Sequence, residues 1–84
     1  MPPYAIEWLD AAKDDIRALD RPMAMRIFEG VLRFARSGNG DVTALQGDLA
    51  GVFRLRLGDY RVMFSLQENS MRIFGVRHRS QAYR

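Results

Sequence analysis

Residues 49–84 of this 84-residue chain hold seven arginines and no lysine, and four of them are spaced to gather around an anion. Arg54 and Arg56 sit two apart, the period that puts side chains on one face of a strand. Gly58-Asp59 is a two-residue turn signal, with glycine at the first central position, where a type II′ turn needs a positive φ. A hairpin closed there places Arg61 directly opposite Arg56, with Arg54 one step along, opposite Met63. Like charges placed across from each other are destabilising, so three guanidiniums on one face favour an anion between them. The plain alternative is a solvated face whose arginines splay into water. Arginine also offers a planar donor fork that matches phosphate and stacks on bases.

The elements that must position these residues follow from the apolar pattern. Val52 to Leu57 alternates, with Phe53, Leu55 and Leu57 on one side. Tyr60 to Leu66 alternates in turn, and the two-residue loop pairs Leu57 with Tyr60, Leu55 with Val62 and Phe53 with Phe64. After a second turn at Gln67-Glu-Asn-Ser70, Met71 to Arg77 reads as a last strand. An odd-length loop there turns Phe74 and Val76 inward and brings Arg77 opposite Arg61. An even-length loop sends Ile73 inward instead; the odd-length version is expected, because Phe74 and Val76 need a core and Arg77 does not.

Upstream, Tyr4 to Trp8 reads as a short first strand. Leu9, Ala12, Ile16 and Leu19 have helical spacing. Asp20 is placed to cap a second helix with Pro22 in its first turn, running to about Arg36 and burying Ala24, Ile27, Phe28, Val31, Leu32 and Phe34. Gly38 or Asn39 suits the left-handed cap after it. Asp41 to Ala50 reads as a connecting segment anchored by Val42 and Leu45. The expected fold class is α+β: two N-terminal helices packed on one face of a three- to four-stranded antiparallel sheet, residues 1–84 forming a single domain.

Composition narrows the chemistry. The first 48 residues carry six basic and eight acidic groups, whereas residues 49–84 set seven arginines against Asp59 and Glu68. That segregated charge marks the second half as a candidate nucleic-acid surface. With no cysteine, neither a disulfide nor a thiolate metal site is available. One histidine and scattered carboxylates argue against a two-metal nuclease site and against a Ser-His-Asp arrangement. No glycine-rich phosphate loop precedes a helix. No metal or other cofactor is expected, and what remains is metal-free chemistry at a phosphate, or binding alone. Apolar runs are far shorter than the ~20 residues of a membrane span, and Met1-Pro-Pro-Tyr4 does not read as a signal peptide. A cytoplasmic protein without a membrane partner is expected.

The chain resembles the RelE/ParE superfamily of toxins from bacterial toxin–antitoxin pairs, and within it the RelE-like mRNA interferases. The resemblance rests on Leu45-x-Gly47-x-x-x-Gly51-x-Phe53-Arg54-Leu55-Arg56-x-Gly58-x-Tyr60-Arg61 and on Val76-Arg77-His78-Arg79-x-x-Ala82-Tyr83-Arg84. The opening Tyr4-x-Ile6-x-Trp8 and the two-helix pattern fit as well. The resemblance implies a ribosome-dependent endoribonuclease that enters the A site, where the ribose 2′-hydroxyl of the bound mRNA attacks its adjacent phosphate. By the same resemblance, Arg54 and Arg56 fall on two basic positions that are often Lys, Arg61 on the arginine that steadies the phosphate, and Arg77 on the one serving the leaving oxygen. Tyr83 falls on the aromatic that orients a base.

Arginine cannot readily give up its proton, so either Tyr83 or His78 activates the 2′-hydroxyl or the reaction relies on positioning and charge. His78 is thus a further candidate. The implied partners are a cognate antitoxin, the ribosome and mRNA, with operator DNA reached only through the antitoxin complex. The superfamily also contains ParE-like members that poison DNA gyrase without cutting RNA, which is the alternative, alongside a non-catalytic module that binds only its antitoxin.

Overall fold

The computed structural model describes residues 1–81. Strand β1 (Ala5–Trp8) leads into helix α1 (Asp10–Arg17) and helix α2 (Arg21–Ser37), followed by β2 (Asp41–Ala44), β3 (Phe53–Leu57), β4 (Tyr60–Gln67) and β5 (Ser70–His78). Single 3₁₀ turns occupy Gly47–Leu49 and Arg79–Gln81. The sheet has five strands in the order β1-β5-β4-β3-β2. The class is α+β with two helices, as expected, but the sheet is larger than three or four strands and is mixed, because β1 runs parallel to β5.

Two expectations change here. The segment from Asp41 is not merely a connection: its first four residues pair antiparallel with β3, Val42 facing Leu55 and Ala44 facing Phe53. Asp41-Val-Thr-Ala44 lacks apolar alternation because, as an edge strand, it lends only Val42 to the core side, half-buried. On α2, Phe28 and Leu32 are 39% and 42% exposed instead of buried. The buried arc is narrower than expected and centres on Ile27, Gly30, Val31, Phe34 and Ala35. Phe28 lies outside it and rests edge-on against Trp8, ring centroids 5.3 Å apart.

The helix ends follow local chemistry. Asp20 is the N-cap residue of α2 with Pro22 in the first turn, and Gly38 closes it in the left-handed region at φ 79°, its N–H donating to the Phe34 carbonyl. The core lies between the helices and one sheet face: Ala12 and Ile16 from α1, the α2 arc, and Leu55, Val62, Phe64, Met71, Ile73 and Val76 from the strands. Phe64 is fully buried, with Phe34 and Phe53 at ring-centroid distances of 5.2 and 5.6 Å.

The β3–β4 hairpin has the expected register at every pair from Phe53↔Phe64 to Leu57↔Tyr60. Gly58 has φ 62° and Asp59 has no positive φ, which fits a type II′ turn. The β4–β5 hairpin departs from the odd-length loop expected from the sequence, and Phe74 does not join the core. Its turn is even, two residues between Gln67 and Ser70, so Met71 and Ile73 face the core. A bulge then intervenes: Phe64 pairs with Ile73 but Met63 pairs with Gly75, leaving Phe74 as the extra residue. The bulge reverses the alternation, so Val76 is also buried and Arg77 still comes opposite Arg61.

Candidate anion-binding face

The strand registers set one row of charged residues across four strands on the face away from the helices. Asp41 on β2 stands opposite Arg56 on β3, Arg56 opposite Arg61 on β4, and Arg61 opposite Arg77 on β5. A second row, Thr43, Arg54, Met63 and Gly75, runs beside it. Neighbouring strands lie about 4.8 Å apart, so the backbones bring Arg54, Arg56 and Arg61 within reach of one phosphate. The bulge at Phe74 adds Arg72 to the same face, opposite Ser65 and Glu7, where its Nε donates to Glu7 Oε1 at 3.2 Å. Sequence reasoning missed that arginine, because uninterrupted alternation with Phe74 and Val76 inward turns residue 72 inward too.

The heads of the four arginines are not equally placed. Arg56 is exposed, and Arg54 and Arg61 are half-buried. Arg61 Nη1 donates to the carbonyls of Gly58 and Tyr60, at 3.1 and 3.2 Å, and so lies along its own turn. Arg77 swings over the β5 edge to α1, where its Nη1 donates to Asp15 Oδ2. The same carboxylate oxygen accepts the Val76 N–H at 2.8 Å. β1 pairs with β5 only from Ser70 to Ile73, so Asp15 takes over beyond it, masking an edge N–H that would otherwise stand open. Gly75 leaves room for this contact: a Cβ there would lie 3.2 Å from both Arg77 Nη1 and Asp15 Oδ2. Asp15 gives no hint of this role in the sequence, where it is one of five charged residues in α1.

Asp15→Ala removes the acceptor for a part-buried N–H together with the partner of Arg77. We expect a loss of about 1–3 kcal/mol, nearly all from the orphaned N–H, since the ion pair itself is part-exposed and screened. Asp15→Asn keeps an acceptor oxygen, so most of that loss should be absent in parallel thermal melts.

His78 turns to the helix side of the sheet, opposite Tyr60, with ring centroids 5.3 Å apart. Its Nδ1 accepts the Ser80 N–H at 3.2 Å, leaving Nε2 to carry the proton of the neutral ring. With Asp15, Leu19, Tyr60, Arg77 and Ser80 it lines a cleft of about 560 Å³. His78 therefore shares a wall with the displaced head of Arg77, on the other side of the sheet from Arg54, Arg56 and Arg61. Tyr83 lies outside the described residues. Among the described residues no group of three or more His, Cys, Asp or Glu gathers as metal ligands, and no helix is long and apolar enough to cross a membrane.

The fold is shared with solved structures. The RelBE2 toxin–antitoxin complex of Mycobacterium tuberculosis contains a chain with a TM-score of 0.83 and 24% identity, matched over 90% of this chain and 98% of that one. The RelE–RelB complex of the archaeon Pyrococcus horikoshii gives a TM-score of 0.76 at 24% identity, over 95% and 99% of the two chains. The YoeB dimer of Staphylococcus aureus gives 0.72 at 20% identity, over 90% and 97%. No curated protein matches by sequence. The family model described as "ParE toxin of type II toxin-antitoxin system, parDE" matches residues 6–83. Nearly the whole chain lies within that match, and the protein belongs to the ParE toxin family, within the RelE/ParE superfamily of type II toxin–antitoxin systems.

Proposed function

We propose that this protein is a toxin whose open sheet face binds ribosome-associated mRNA and cleaves it without metal, by attack of a ribose 2′-hydroxyl on the adjacent phosphate. The observation that carries the reading is the register of Arg56, Arg61 and Arg77 on three adjacent strands, with Arg54 beside them. Facing guanidiniums repel one another unless an anion joins them. Cations aimed at a phosphate are most useful where charge accumulates in the transition state. In this reading Arg54, Arg56 and Arg61 hold the scissile phosphate. Arg77 exchanges Asp15 for the leaving oxygen, and Tyr83 orients a base. The toxin acts in the cytoplasm and pairs with a cognate antitoxin, as the toxin–antitoxin complexes among its structural neighbours support; in this reading the antitoxin covers the basic face.

A second reading draws on the family match itself, which carries the ParE name. There the same face and α2 engage gyrase and no bond is broken. Induced expression separates the two when mRNA ends and plasmid supercoiling are followed together. New mRNA ends within codons, with supercoiling unchanged, are the expected result. Altered supercoiling with intact messages would overturn it in favour of the gyrase reading.

A further inference from the structure

The arginine row has an acidic end. Asp41 opens β2 directly opposite Arg56, and so shares the open face with Arg54, Arg56 and Arg61. The carboxylates flanking that row are otherwise engaged: Glu7 with Arg72 at 3.2 Å, Asp15 with Arg77, and Asp59 with Arg79 at 3.8 Å. Asp41 is exposed, and among the described residues its side chain enters no ion pair or hydrogen bond. Guanidinium groups hold their protons too tightly to act as bases, and His78 lies across the sheet against Tyr60. Among the described residues of the open face, Asp41 alone joins proton affinity to a place beside the phosphate-binding arginines.

The geometry points to Asp41 as the general base that takes the proton from the 2′-hydroxyl, an inference that rests on the mRNA-cleaving reading above. Arg56, which with Arg61 holds the phosphate in this reading, stands one strand, about 4.8 Å, from Asp41. The 2′ oxygen is that phosphate's neighbour on the same ribose. Asp41 accepts its proton as the 2′ oxygen bonds to phosphorus, and the bond from phosphorus to the 5′ oxygen of the next nucleotide breaks. The departing oxygen takes a proton from water, and Asp41 returns its own to solvent. The products are a 2′,3′-cyclic phosphate and a 5′-hydroxyl, with no further reactant needed.

The sign of the charge change separates catalysis from binding. Asp41→Asn makes the face more positive, so RNA binding should stay level or tighten, whereas loss of a general base lowers the rate by about 10²–10⁴-fold. The full chain is assayed on programmed ribosomes for kcat and KM, and binding is measured with a message carrying a 2′-deoxy A-site codon. The expected result is a kcat loss of that size in Asp41→Asn, with binding undiminished and a substantial part of the rate restored in Asp41→Glu. Parent-like kcat in Asp41→Asn overturns the assignment. So does a loss confined to binding, or a loss that appears in His78→Gln and not in Asp41→Asn. A parent protein that cuts no message defeats the mRNA-cleaving reading first, and the inference falls with it; that outcome is distinct from an active parent with an equally active Asp41→Asn.

Discussion

Arg61→Ala should fold as the parent does and lose about 10²–10³-fold in mRNA cleavage, the scale set by removing one transition-state donor. Arg61 occupies the middle of the row, with Arg56 opposite on one side and Arg77 on the other. Its contribution to folding is confined to donation onto the Gly58 and Tyr60 carbonyls at the turn. Water replaces that donor at the exposed end of the hairpin. Removing the cation opposite Arg56 relieves repulsion by a few tenths of a kcal/mol. The two effects nearly cancel, so the melting temperature should hardly move while the phosphate loses its central contact. Thermal melts and single-turnover cleavage on programmed ribosomes test the pair of outcomes. Cleavage at the parent rate would remove the row from the mechanism and bring the gyrase reading forward.

Leu55→Ala is expected to do the reverse. Leu55 stands between Arg54 and Arg56 in sequence, but it points to the core, 1% exposed, flanked across the strands by Val42 and Val62. Gly40 packs against it so closely that a Cβ there would lie 2.8 Å from Leu55 Cδ1. Truncation leaves a cavity that β-sheet neighbours cannot easily close, at a cost of about 2–5 kcal/mol. Domains of this size are stable by only about 4–13 kcal/mol, and each kcal/mol lost lowers Tm by roughly 4–8 °C. Below that lowered Tm the folded fraction should cleave at the parent rate per molecule, because the arginines on the other face keep their register. A rate loss that persists in fully folded protein would mean that the two faces are not separable.

Local chemistry made the central hairpin legible. Gly58-Asp59 leaves no choice of loop length, and with a two-residue period the loop assigns every partner from Phe53↔Phe64 to Leu57↔Tyr60. The ends of α2 were legible for the same reason, since Pro22 and Gly38 act on the backbone within a turn of themselves; Asp20 takes the N-cap position, though its side chain makes no capping hydrogen bond. Arg54, Arg56 and Arg61 could therefore be brought together from sequence. So could Arg77, though by a different path. Strict alternation cannot hold Ile73 and Val76 both inward with Arg72 and Arg77 both outward, and the bulge at Phe74 reconciles them.

What alternation and spacing could not reach depends on segments far apart in the chain. The parallel pairing of β1 with β5 joins residues separated by most of the sequence, and nothing in Ala5–Trp8 names its partner. Val42 makes a strand of Asp41–Ala44 only because Leu55 waits beside it. Phe28 and Leu32 share a helical stripe with Ile27 and Val31, yet the width of the surface that α2 can cover, with Trp8 at its margin, leaves them half outside. The same holds for the two aspartates nearest the arginines. Asp15 meets Arg77 across 62 residues, and Asp41 meets Arg56 through an edge strand that exists only once the sheet has formed. Sequence alone brings Arg54, Arg56 and Arg61 to one face, because one turn and a period of two suffice for that, whereas Arg72 joins them only through the bulge at Phe74. Which carboxylates join them was decided by tertiary packing, because a carboxylate's partner is set by the strand or helix that happens to lie alongside.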